Sequence, residues 1–290
     1  MIHGDLKDRD ILKRYIESLI GAINAIEQPH DAQPLPIPII EQTYLDLIRR
    51  IKASLMGILA QLNYWPEHGE MKVPITLLFR SCVTDVLLLL YLKTLEEHEA
   101  TFENEVKLLD KPYIRFVESL IATGQLTGND EDKAAALQAW YADEKVAPLI
   151  KLTEPQMEFL NNAALRATSD LDLLKLEERE LKSSLTTDSQ YKHLAEHDDL
   201  KSLSDLYWLY KHGSQHEHYS RLGSRFFHLP QWFECLQWYK VLVGCFEAVR
   251  LVGETLSASE VLLEDLRLNV GHLYQRLLEH QEDQAAAAQQ

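Results

Sequence analysis

The chain has 290 residues, 46% of them hydrophobic, enough to bury one large core or two ordinary ones. Its 45 acidic against 29 basic side chains leave a formal charge of −16, which repels a phosphate backbone and argues against sequence-independent DNA or RNA binding. Cys82, Cys235 and Cys245 each sit in an apolar run, an odd, sparse set that makes no disulfide framework and points to a reducing cytoplasm. The evenly spread charges of MIHGDLKDRDILKRYIESL lack the pattern of an export signal.

Glycines are few, eleven in all, and the ten prolines fall almost entirely where one helical period stops and the next begins, so the expected class is all-α, a bundle of about nine to ten helices. An amphipathic helix is expected from about Asp5 to Gln28, with Leu12, Ile16, Leu19, Ile23 and Ile26 in its apolar stripe, before the prolines of PHDAQPLPIP. A second covers about Ile39 to Tyr64 and stops at Trp65-Pro66. The third, about Val73 to Glu97, is apolar on nearly every face. It is long enough to span a bilayer, but Arg80 and Asp85 within it favour a buried central helix, and no membrane association is expected.

Helices follow over about Glu99 to Leu109, Asp110 to Thr123 and, after GQLTGNDEDK, Asp130 to Asp143. Thr153-Glu154-Pro155-Gln156 has the form of a capping box and should open a long acidic helix to about Leu185. The last helices are expected over Asp199 to His212, Gln231 to Val252 and Ala258 to His280, the last behind a second capping box, Ser257-Ala258-Ser259-Glu260. The chain is read as one helical domain, residues 1–290, with 125–197 as an acidic helical insertion and 281–290 as a frayed tail.

The stretch HGSQHEHYS concentrates imidazoles. His212 and His216, four apart, would share a helix face as a pair of metal ligands does, although Gly213 interrupts the helix and further ligands would have to come from Asp205, Glu217 or His218 on other faces. Ser214 and His218 are also four apart, which suits a base-activated nucleophile. If Gly213 instead ends a helix, Ser214-Gln215-His216-Glu217 is a capping box and the serine oxygen is occupied. Arg80 in its apolar helix needs an acceptor. Asp85 points about 140° away from it, so the two are unlike partners, and Asp85 could orient His218 from across the bundle. The expected site is therefore Ser214, His218, Arg80 and Asp85, with His212 and His216 as the metal alternative.

RSCVTDVLLLLYL and YKHGSQHEHYS together resemble a bacterial all-helical domain family of unknown function, whose members show an arginine opening an apolar helix and a Tyr-x3-Ser-x3-His pattern, here Tyr210, Ser214 and His218. That resemblance implies that Arg80, Ser214 and His218 act jointly and names no reaction. Asp85 stands where a glutamate one position earlier is typical, and Tyr219 where a proline is common. Arg221 with His228, and Arg267 with His272, resemble the Arg-x4–6-His signature of HEPN-class helical ribonucleases and toxins, though Leu222 and Leu268 replace the usual polar residue.

The expected function is an interaction or regulatory protein whose partner is another protein or a second copy. The aromatics Trp232, Phe233, Trp238 and Tyr239 would serve as core or interface. The alternatives are a HEPN-like ribonuclease in stress or phage defence, with RNA as partner, and a metal-binding protein. No phosphate loop, dinucleotide fingerprint or kinase signature is present, so no cofactor is expected.

Overall fold

The computed structural model describes residues 2–31, 37–151, 180–198, 200, 203, 206–217 and 231–287. The fold is an all-α multi-helix bundle, and its contacts divide into two units, Met1–Glu97 with Thr186–Gln290, and His98–Leu185.

In the larger unit, α1 (Ile2–Asp31), α2 (Ile39–Leu62) and α3 (Lys72–Lys93) precede α7 (Thr187–Ala195), α8 (Leu206–Glu217), α9 (Gln231–Thr255) and α10 (Glu260–Ala287). α1 runs through Pro29 and stops three residues later than the prolines suggest. Its stripe of Leu12, Ile16, Leu19, Ile23 and Ile26 is buried, each at 2% exposure or less. α3 is central, as its unbroken hydrophobicity predicts: it packs against α2, α7, α8 and α9, and buries Phe79, Val83, Val86, Leu87 and Leu90 on different faces. Among the described residues it is the one helix long and apolar enough to cross a membrane by length and composition. Both charges that argue for a core helix find protein partners. Asp85, 2% exposed, pairs with Arg50 of α2 at 3.0 Å, and Arg80 is held by α8. Burial pushes the Asp85 carboxyl up, and the Arg50 guanidinium opposes that.

α8 and α9 run antiparallel, since Leu206 at the start of α8 lies over Gly244 midway along α9 while His212 and His216 reach Glu234 near its start. A Cβ at position 244 would stand 2.4 Å from Leu206 Cδ1, so the glycine makes room for the leucine in its present rotamer. Before α10, Ser259 and not Ser257 supplies the cap, its Oγ accepting from Leu262 N at 3.4 Å. Ser257 instead takes a left-handed turn, φ 56°, that ends the α9 segment. α10 remains helical to Ala287, past the start of the expected frayed tail at 281.

The second unit holds α4 (Glu99–Leu108), α5 (Lys111–Ala122), α6 (Asp130–Ala142) and a two-strand pair, β1 (Ile150–Lys151) with β2 (Glu180–Leu181), antiparallel. Asn129 caps α6 by accepting from Asp132 N at 2.9 Å. Ile114, Tyr141, Val146, Leu149, Ile150 and Leu181 form its core, where Tyr141 donates to the buried Glu118 carboxylate. The expected long acidic helix does not reach Leu185, because Glu180 and Leu181 are paired as a strand and 182–186 are extended or irregular. The box at Thr153 lies outside the described residues.

Candidate metal centre

Three pairs of residues, each spaced four apart and so stacked on one helix face, converge in the larger unit. α8 contributes His212 and His216, α9 Glu234 and Trp238, and α3 Lys72 and Thr76. Gly213 does not break α8, which is helical from Leu206 to Glu217. The glycine is there for another reason: a Cβ at 213 would lie 2.7 Å from Cβ of Arg80, so it lets α8 approach α3. With the helix continuous, both imidazoles face α9.

Glu234 lies in the first turn of α9, where the helix dipole favours an anion, and its side chain is fully buried. His212 Nε2 is 3.2 Å from Glu234 Oε2 and His216 Nε2 is 3.9 Å from Oε1. Donor atoms of the three residues all lie within 4.8 Å of one another. With metal–ligand bonds of about 2.0–2.1 Å, tetrahedral donors stand about 3.3 Å apart, which the His212–Glu234 distance matches and the wider His216–Glu234 distance would have to contract to reach. The His216 side chain is fully buried and that of His212 is nearly so. Burial is the largest influence on His216 and keeps its imidazole neutral by pulling the pKa down. Glu234 opposes the shift, while His212 and Lys72 add to it. A neutral imidazole is the form that ligates.

Around the carboxylate, Trp238 Nε1 donates to Thr76 Oγ1 at 3.1 Å, and Thr76 Oγ1 donates in turn to Glu234 Oε2 at 3.4 Å. Trp238 is fixed by an edge contact with Trp65 and by stacking on Phe79, at 5.2 and 5.9 Å between ring centres. Lys72 is 4% exposed. Burial lowers its pKa and Glu234 partly restores it, so the ammonium supplies a counter-charge to the carboxylate.

On another face of α8, Arg80 Nε donates to Ser214 Oγ at 2.9 Å, Ser214 donates to the Tyr210 carbonyl at 2.8 Å, and the guanidinium lies 4.8 Å from the Tyr210 ring centre. Arg80 and Ser214, paired in expectation, do meet. The capping alternative for Ser214 fails, because the residue lies inside a helix and its hydroxyl bonds back to the preceding turn. Asp85 does not join them: it pairs with Arg50 on α2, as its position around α3 requires. His218 lies outside the described residues, as do Asp205, Tyr219, Arg221 and His228. Of the HEPN-like pairs, Arg267 is held by Glu254 and Glu264, and His272 is exposed on the same helix.

Glu234, Lys72 and Thr76 were not singled out from the sequence. A signal for Glu234 existed: it is the lone carboxylate in QWFECLQWYKVLVGCF, and the reasoning that demanded a partner for Arg80 applies to it equally. Comparisons with protein-family models, with curated proteins and with solved structures give no match. The two family resemblances therefore rest on their sequence segments alone.

Proposed function

We propose that the protein is a metal-binding helical bundle that holds a first-row divalent cation through His212, His216 and Glu234. The observation that carries this reading is the convergence of two buried imidazoles on a fully buried carboxylate from a facing helix. Two nitrogens and one oxygen suit zinc, iron(II) or manganese better than calcium, and three protein ligands leave positions for water or a further ligand. The Trp238–Thr76–Glu234 chain supplies the outer hydrogen bonds that orient a metal-bound carboxylate.

The test is metal analysis of protein purified without a histidine tag, followed by thermal melts with zinc, manganese and iron(II). One bound equivalent is expected, with the melting temperature raised by roughly 5–10 °C at a hundredfold excess over Kd. No stoichiometric metal and no shift with any of the three would leave a buried ion-pair network and overturn the proposal.

A role through protein association is the second reading, favoured by Tyr113 and Phe116. They lie three apart on α5 and are 63% and 57% exposed. Sedimentation of the Tyr113→Ser, Phe116→Ser double variant against the parent checks it: a dimer lost in the variant supports it, and a monomeric parent that retains no protein partner speaks against it.

A further inference from the structure

α8, α9 and α10 enclose a groove of about 570 Å3, within the range of small-molecule sites. Leu206, Leu209, Val243 and Leu277 line it with hydrocarbon. Trp208 and Tyr274, also lining it, are 65% and 49% exposed, a large aromatic area to leave in water. Its polar groups are few and close together. Gln237 and Lys240 sit one turn apart on α9, and the next turn, Val243 and Gly244, is bare of polar side chains. Lys240 is half-buried and forms no ion pair among the described residues, in a chain with 45 carboxylates to offer.

We propose that this groove binds an amphipathic monocarboxylate, an alkyl chain with one carboxylate head. The ammonium of Lys240 takes one carboxylate oxygen and the amide N–H of Gln237 the other, while the alkyl chain lies along Leu206, Val243 and Leu277. One lysine and one amide match a planar monoanion. A phosphate dianion calls for a richer set of donors. At roughly 30 Å3 per water-sized group, the cavity has room for a dozen or more such groups, enough for a medium-length chain. The proposal does not depend on the metal centre, whose ligands lie on other parts of α8 and α9.

The full-length protein would be titrated by calorimetry with octanoate, decanoate and dodecanoate below their micelle concentrations and with 1-decanol below its solubility limit. Affinity is expected to rise about fourfold per methylene along the acids. Lys240→Met should weaken decanoate about tenfold or more and leave 1-decanol unchanged. Leu278→Glu, at a 60% exposed position on the groove, keeps the fold and should also select against the acid. Absent saturable binding, affinity independent of chain length, or a Lys240→Met variant that binds decanoate as the parent does would each overturn the proposal. So would a concentration-dependent dimer dissociated by Leu278→Glu, which would make a second copy of the chain the occupant.

Discussion

The chain carries two histidine pairs spaced four apart, and among the described residues only one of them meets a carboxylate. On α8, His212 and His216 face the buried Glu234. On α7, His193 Nε2 is 2.9 Å from the Thr94 hydroxyl and 3.1 Å from His197 Nε2, and His197 is exposed. His197 lies just past the end of α7, and His193 Nε2 faces the Thr94 hydroxyl and the His197 ring and no acidic side chain among the described residues. Identical spacing thus yields a candidate centre in one place and a hydrogen-bonded pair in the other. The difference lies in what the facing helix presents.

The contrast breaks most sharply at Glu234. Glu234→Ala should weaken zinc binding by about a hundredfold or more by competition with a chromogenic chelator, whereas His197→Ala should leave it unchanged. If both variants bind alike, the two pairs do not differ in the way claimed. Gly213→Ala comes next. Alanine gains up to about 1 kcal/mol in helix propensity, but its Cβ would stand 2.7 Å from Arg80 Cβ, a position close to the backbone that cannot swing away. Overpacking of this kind costs about 1–3 kcal/mol, so the clash wins: urea melts should show lower stability, and the displaced α8 should bind zinc less tightly.

Thr76→Val removes the hydroxyl that orients Glu234 and should cost about tenfold in metal affinity, with Thr76→Ser restoring most of it. The smallest effect is expected at His193 and His197. Burial, with His197 adding, lowers the His193 pKa from 6.5, so between that value and the lowered one the unfolded chain takes up a proton that the folded state refuses. Stability should therefore fall as pH drops through this window. His193→Gln should make the fall shallower in melts from pH 7 to 5, with metal affinity untouched.

The helical class and most helix positions were legible because they depend on local rules, apolar period and proline punctuation. α3 could be recognised as central from its composition alone. The misreadings share a cause in tertiary structure. Gly213 looks like a helix end by propensity, and only the nearness of Arg80 shows it to be a packing contact. Ser257 and Ser259 are equal cap candidates in sequence, and the backbone path out of α9 chooses between them. Residues 180 and 181 have no strand signal of their own and become strand by pairing with 150 and 151. For the site, spacing within a helix exposed the His212 and His216 pair but could not show Glu234, which arrives from another helix.

Two glycines locate α8 from opposite partners: its own Gly213 abuts Arg80 of α3, and Gly244 of α9 receives its Leu206. The first contact, close to both backbones, resists sliding and rolling of the helix, and the second is filled by a side chain that can adjust. A slip of one residue would move it by about 1.5 Å and turn it by about 100°. The direction in which both imidazoles point is therefore set in part by a residue that carries no chemistry: a larger side chain at 213 would push α8 off α3 and turn His212 and His216 away from Glu234.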